Sequence, residues 1–422
     1  MMVRSFLALA IAAPLALAAQ DADAVRSNAR KYVKNLTAPA LHGRGYVQNG
    51  DGLAADWIAQ QFTRMGLKPL KTDYFQPFQF NVNSFPDSMR VSVDGAMLSP
   101  GVDYIVDPAS GSAQGTFNLV HLTPDDLLDP ARRGMAMGVL SGNAACLHFP
   151  ATKSADSLRI FGEIERELMH FCPVVKRASG KLTWGVAQEA EPYPLIEVAS
   201  AALTDSSRTI TLNVRNVLLP RHAARNVLGW VKGKSSKWVV VGAHYDHLGR
   251  MGSEALFPGA NDNASGVAMM LSLAEWFSKN KPKYNMLFVA FAGEEAGLVG
   301  SEWFAVDRPL DLSKIKLMLN LDILGTGDDG ITVVNATAQS KLFDQLVALN
   351  GRRQLLPQVK ARGPACNSDH CPFVKRNVPA LFIYTMGGVA AYHDVLDREE
   401  TLPLTEFPDL YALLKEYITI LK

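Results

Sequence analysis

The stretch K-W-V-V-V-G-A-H-Y-D-H, residues 237–247, decides the fold. Its first half, 237–242, is a short continuous apolar run, the composition of a strand buried on both faces. Its second half turns polar at once and sets His244, Asp246 and His247 just past the strand's carboxyl end. Three runs of the same kind follow, at 285–291, 315–321 and 378–384. Between the first two, residues 263–280 carry Val267, Met270, Leu271, Ala274 and Phe277 on one helical face, and 406–422 read as a closing helix. Apolar strands alternating with helices predict an α/β fold: a mainly parallel, doubly wound sheet flanked by helices.

Away from this block the character changes. Residues 20–84 read as helical and loop-rich, with Leu53, Trp57, Ile58, Phe62 and Met65 at helical spacing ahead of Gly66. Residues 85–222 alternate in short runs such as 90–94 and 210–214, joined by Gly, Pro and Asp turns. They predict a mostly β insert without a cluster of potential ligands, hence a lid or wall. At 422 residues two domains are expected. The division is 1–19 as a signal peptide, 20–84 as the first part of a catalytic domain, 85–222 as the insert and 223–422 as the remainder of the catalytic domain.

The signal reading rests on Arg4, the apolar run 6–17 and the small-x-small triplet Ala16-Leu17-Ala18, with cleavage after Ala18 or Ala19. The run is short for a bilayer span, so export to the periplasm or medium is expected rather than stable membrane insertion. Arg4 is the only charge in the first nineteen residues, and its removal leaves 41 basic against 41 acidic side chains. A neutral chain gives no basis for a nucleic acid or an anionic membrane as partner. The sequence leaves oligomeric state open. Four cysteines permit two disulfides, most simply Cys146–Cys172 and Cys366–Cys371, with free buried thiols as the alternative.

Chemistry gathers at the strand ends. In such sheets ligands bind beyond the carboxyl ends of the strands. His244 follows the first run, Glu294 and Glu295 the second, Asp322 the third, and His393 lies in the loop after the fourth, while Asp262 opens the helix at 263–280. One such residue is commonly a cap or a satisfied structural group; five motifs in series are not explained that way. Two imidazoles and several carboxylates are the donors a pair of zinc ions requires. Asp262, alone among acids in its loop, is the candidate to bridge them. His244 and Asp322 could complete one metal, Glu295 and His393 the other. Asp246 could accept the second ring N–H of His244. By elimination Glu294 is the acid/base, the alternatives being that it is a further ligand or exchanges roles with Glu295.

These motifs, A-H-Y-D-H, N-D-N-A-S-G, A-G-E-E, N-L-D and A-Y-H-D, together with H-G-R-G at 42–45 and S-D-H-C-P-F at 368–373, resemble the bacterial co-catalytic zinc aminopeptidases. The resemblance runs from about residue 224 to the C-terminus and takes in the N-terminal stretch from His42 to Pro69. It implies two Zn²⁺ on His244, Asp262, Glu295, Asp322 and His393, with Asp262 bridging and the bond after it cis. It implies Glu294 as general base, Asp246 as the partner of His244, and Tyr392 as a group that polarises the scissile carbonyl. Peptides are the substrates it implies, and 85–222 is similar to a protease-associated domain. Val395 departs from a family proline two residues past the last histidine. Asp369 and His370 read as fixing their loop by hydrogen bonds rather than as a metal site with Cys366 and Cys371. The competing readings are a carboxypeptidase, a glutaminyl cyclase on the same fold, or a non-catalytic receptor-like homologue.

Overall fold

The structure is a computed structural model that describes the backbone of residues 7–422 and the side chains from Asp21 onward. The signal segment predicted at 1–19 therefore lies outside the residues whose side chains are described. Among the described residues no helix is long and apolar enough to cross a membrane.

Two large sheets organise the chain. The first has nine strands. At its centre Trp238–His244 lies between Asn285–Phe291 and Ile315–Leu321, parallel to both, and Ala380–Thr385 continues the parallel set beyond Ile315–Leu321. The apolar runs have no polar alternation because both faces are covered. Val239, Val241, Met286, Phe288, Leu317 and Leu319 pack under the helices Gly50–Met65, Gly266–Lys279 and Phe407–Ile420. Val240, Leu287, Val289 and Met318 point the other way, onto Phe304 and Phe373. Period-two alternation sends neighbours to opposite faces, and here each face is a core.

The strand order places the site. The chain leaves Trp238–His244 for a neighbour on one side, Asn285–Phe291, then crosses to the opposite side for Ile315–Leu321. Connections diverge at that central strand, and a crevice opens beyond its carboxyl end.

The flanks differ from the sequence reading. The sheet is parallel only in its middle: Val217–Val231 pairs antiparallel with Asn285–Phe291, and Ile331–Val334 pairs antiparallel with Ala380–Thr385. Phe75–Ser84, inside the stretch expected to be helical and loop-rich, is a ten-residue strand paired with Val217–Val231 across a bulge between Leu219 and His222. Its alternation of Phe78, Phe80 and Val82 is that of a half-buried edge strand, with Pro77 near its start, which masked it.

The second sheet has eight strands, all between residues 90 and 214. Four of them, Ala113–Leu122, Ala144–Leu147, Val174–Arg177 and Leu195–Val198, are mutually parallel. Parallel neighbours need crossovers, so this block also holds the helices Pro130–Val139 and Ala155–Leu168 and is less purely β than expected. The expected Cys146–Cys172 disulfide is absent: both thiols are free and buried. Cys146 packs on one face of this sheet, with Val175 and Ile196, whereas Cys172 packs on the other, with Leu147 and Leu168. Side chains on opposite faces cannot bond. Cys366 and Cys371 are bonded, their Cα atoms 4.9 Å apart. The face that holds Cys146 is continuous with Leu248, Met251, Phe257 and Val395. The second sheet is thereby packed directly onto the loops that carry His247 and His393.

Candidate metal centre

The crevice at the central strand brings together His244, Asp262, Glu295, Asp322 and His393, residues separated by up to 149 positions in the chain. His244 Nε2 lies 3.3 Å from Asp262 Oδ1 and 3.2 Å from Asp322 Oδ1. His393 Nε2 lies 3.2 Å from Asp262 Oδ2 and 3.1 Å from Glu295 Oε2. Asp262 thus presents one oxygen to each imidazole, and two triads share its carboxylate.

Both histidines have their other nitrogen committed. His244 Nδ1 donates to the Asp246 carbonyl oxygen at 3.1 Å, and His393 Nδ1 donates to the Trp184 carbonyl oxygen at 2.8 Å. A carbonyl only accepts, so each neutral ring turns the lone pair of Nε2 towards carboxylate oxygens. Lone pairs and anions converging in a buried space require a positive charge between them. Without a metal that charge is a proton. Burial opposes it, but Glu295 and Asp262 raise His393 to about 11, and Asp322 and Glu294 hold His244 well above its ordinary value. Burial works against Asp262 too, yet its contacts with His244 and His393 keep its carboxyl far below the usual range. With zinc-to-donor bonds of about 2.0–2.1 Å, the edge of a tetrahedral site is about 3.3–3.4 Å. The observed donor spacings of 3.1–3.3 Å are those of two such sites joined at Asp262. The residues present fit a pair of metal ions.

The backbone that delivers Asp262 is held from two sides. The Asp262–Asn263 bond is cis, as the resemblance implied. Asp397, four residues beyond His393, accepts from the main-chain N–H of Asn261 at 2.8 Å and of Asp262 at 2.9 Å. Arg44, fully buried, donates to the carbonyls of Tyr245, Leu36, Pro258 and Gly259 at 2.7–2.9 Å. Gly43 and Gly45 allow this: a Cβ on either would run into the backbone of Gly249 or Phe257. The H-G-R-G motif is therefore a buried strut joining three loops.

Glu294 stands apart from the two triads but close to them, since its carboxylate, the His244 ring and Asp322 form one compact group. Burial, then Asp369, Glu295 and Asp322, raise its pKa far above a free glutamate's, against the lowering effect of His244. Asp246 is placed differently from the expectation. Its carboxylate is 3.9 Å from His244 Nδ1, and its main-chain oxygen takes that N–H instead. The carboxylate oxygens accept from the backbone N–H of Glu294 and Glu295, each at 3.2 Å, and from the Tyr46 hydroxyl at 2.7 Å. The reason is geometric: two residues on, the chain is already turning, and the carbonyl reaches the ring first.

Other groups complete the surround. His247, quoted in the A-H-Y-D-H motif but given no role there, donates through Nδ1 to Glu295 Oε1 at 2.8 Å. Ser368 donates to Asp322 Oδ2 at 2.9 Å and accepts from Asn320 at 2.8 Å. His370 bonds the Ala365 carbonyl oxygen at 2.8 Å and so fixes its own loop. Asp369 does not: it is fully buried and neither carboxylate oxygen has a hydrogen-bond partner among the described residues. Burial, with Asp246 and Asp322 against His244, lifts it to about 7. Tyr392 is 55% exposed at the rim and stacks on the His393 ring with centroids 3.8 Å apart. Partial burial, then Asp262 and Glu295, push its phenol up.

Residues 226–418 match peptidase family M28. A probable zinc metalloprotease of Pyrenophora teres f. teres is 38% identical over 112 residues, 25% of this chain and 24% of that protein. A probable leucine aminopeptidase of Arthroderma otae is 34% identical over 161 residues, 36% of this chain and 44% of that protein. The chain therefore spans less than half the length of these curated relatives. Among solved structures, a peptidase M28 precursor from Shewanella amazonensis SB2B superposes with a TM-score of 0.72 at 19% identity, covering 96% of each chain; that likeness shows a shared fold. The similarity to peptidase family M28 lies in residues 226–418, the part of the chain that holds His244, Asp262, Glu294, Glu295, Asp322 and His393.

Proposed function

We propose that this protein is an exported zinc aminopeptidase that removes the N-terminal residue of peptides, with two zinc ions held across Asp262. The observation that carries the reading is the carboxylate shared by two histidine-carboxylate triads, with Glu294 beside them and outside both. His244, Asp262 and Asp322 would hold one ion, and His393, Asp262 and Glu295 the other. Bound there, zinc supplies a Lewis acid for the scissile carbonyl and makes water more acidic.

The remaining work falls to side chains of the chain itself. Glu294 takes a proton from the attacking water as its oxygen bonds to the carbonyl carbon. It returns that proton to the amide nitrogen as the C–N bond breaks, so that a free amino acid and a shortened peptide leave. A carboxyl whose proton affinity is raised by burial and by neighbouring acids suits both transfers. Asp246, by receiving the N–H groups of Glu294 and Glu295, fixes where the two side chains diverge. Tyr392 at the rim offers an O–H to the carbonyl oxygen as it gains charge.

An amino terminus suits this cavity better than a carboxyl terminus. A carboxypeptidase would need Arg or Lys near the pocket for a free carboxylate, with Arg362 and Arg376 as the candidates, and Arg362 is exposed with the Tyr384 hydroxyl 3.4 Å from it. Arg44 is saturated by carbonyls, and Arg376 is paired with Glu302 at 2.5 Å. Replacing Glu294 by Gln should lower kcat on amino-acyl anilides by a factor of about 10²–10⁴ while zinc stays near two per chain. Undiminished turnover in that variant would remove Glu294 from the mechanism.

Export is part of the same reading. The Cys366–Cys371 disulfide fits an oxidising compartment. N-terminal sequencing of protein recovered from outside the cytoplasm should begin at Ala19 or Gln20; a chain still starting at Met1 would overturn cleavage.

A further inference from the structure

The second sheet, read from sequence as holding no cluster of potential ligands, holds one. His121 and Cys146 are direct neighbours on the parallel strands Ala113–Leu122 and Ala144–Leu147. His148 follows Cys146 by two positions and so returns to the same face. The donor atoms of the three lie within 4.8 Å of one another: His121 Nδ1 is 2.7 Å from His148 Nε2, which is 3.8 Å from Cys146 Sγ.

The far nitrogens of both rings face acceptors. His121 Nε2 is 2.7 Å from the Ser207 carbonyl oxygen, and His148 Nδ1 is 3.6 Å from Asp205 Oδ1. The carbonyl on His121 Nε2 fixes that ring's tautomer and turns the lone pair of Nδ1 towards His148 and Cys146, the usual support of a metal-bound histidine, while Asp205, at 3.6 Å, acts on His148 through its charge alone. His148 Nε2 donates to His121 Nδ1 at 2.7 Å beside the thiol, and the binding of an ion would move that proton to His148 Nδ1, the nitrogen that faces Asp205. Arg177 stands near, but Asp205 takes its guanidinium at 2.6 Å and balances its charge. Cys146 is fully buried while both histidines are partly exposed, so an ion here would have three protein donors and a side open to solvent.

We propose that His121, Cys146 and His148 form a metal site separate from the peptidase centre, a two-histidine, one-thiolate set for a thiophilic ion of the zinc class. Thiolate and imidazole together select such ions over calcium or magnesium. Sulfur-to-nitrogen spacing of 3.8 Å already suits a shared ion. The imidazole nitrogens would part from 2.7 Å to about 3.3 Å, a rotation open to the partly exposed His148 ring. On binding, the Cys146 S–H proton is released to solvent and its sulfur is bound as thiolate. The site lies where the second sheet's face turns to the surface, and the ion would tie two of its strands together.

The test uses the full chain, stripped with chelator under inert gas without thiol reductant, so that the Cys366–Cys371 disulfide stays closed, and reloaded with Co²⁺. The peptidase centre contains no sulfur donor, so thiolate-to-cobalt charge-transfer absorption reports only on Cys146. Wild type should show that absorption and bind one more equivalent per chain than Cys146→Ser, which should lack it. His148→Gln, which keeps the thiol, should lose the same equivalent. Equal stoichiometry in all three proteins with no sulfur-to-metal absorption would overturn the site and leave a histidine pair sharing a proton. Absorption that survives in Cys146→Ser would also overturn it.

Discussion

At the scale of single residues, the centre depends on groups that never touch substrate. Arg44 is the clearest. A guanidinium taken fully out of water is tolerable only because each of its N–H groups meets a carbonyl. Even so, burial lowers its pKa to about 10, against the opposing pull of Asp397 and Asp262. Arg44→Met strands those carbonyls, and we expect unfolding free energy to fall by about 3–5 kcal/mol, measured by urea denaturation. A change below ~1 kcal/mol would mean the strut is dispensable. Asp397 acts on the centre more directly, through the N–H groups of Asn261 and Asp262. Asp397→Ala should weaken metal affinity by about 10–100-fold, read by competition with a chromophoric chelator, with secondary structure by circular dichroism retained. Unchanged affinity would show that the cis-bonded loop holds its own shape.

At the scale of elements, the loop that carries His393 is fastened to the second sheet rather than to its own. Lys181 Nζ donates to the Tyr392 carbonyl at 2.7 Å and the Ala390 carbonyl at 3.1 Å, and it pairs with Asp394 at 3.2 Å. The Trp184 carbonyl orients the His393 ring, and the Trp184 indole rests on Phe257 with centroids 4.8 Å apart. The second sheet is thus part of the metal centre's support and not only a wall beside it. Lys181→Met should loosen the loop and raise KM and metal loss together, while unfolding free energy changes by less than about 1 kcal/mol, because the side chain is partly exposed. If metal retention and KM both stay at wild-type values, the fastening is incidental.

Taken as a whole molecule, the metal-free protein stores positive charge where the ions would sit. His393 has its pKa raised to about 11 in the folded chain, from about 6.5 in an unfolded one. The sign follows from linkage: a raised pKa gives stability that is fully present below the unfolded value and is lost as pH rises through the folded value. Metal-free protein should therefore lose thermal stability progressively from about pH 7 towards pH 11. Protein reloaded with zinc should lose less over that range, since the ion has replaced the proton. For the same reason metal uptake at pH 7 should expel about two protons per chain, one from each of His244 and His393. Isothermal titration in buffers of different ionisation enthalpy counts them, and a count of zero would mean the rings are neutral before metal arrives.

The α/β class, the central strands and the gathering of histidines and acids at their ends could be read from the chain because each rests on local chemistry. An apolar run between polar bounds states that both strand faces are covered, and a histidine or acid at its end states where a crevice will open. Asn285–Phe291 and Ile315–Leu321 have the bounds their composition implies. What local chemistry cannot carry is the direction in which a side chain meets a distant partner. Cys146 and Cys172 looked like a pair by count, and only the sheet between them sends one thiol to each face. Asp246 has the residue type for the His244 ring, but the turn it sits in gives that bond to its carbonyl. The edge strand Phe75–Ser84, the reach of Asp397 and Arg44 into the Asp262 loop, and the meeting of His121 with Cys146 and His148 likewise come from strand register and crossovers. These are properties of packing between segments far apart in the chain, and nothing in any one segment encodes them.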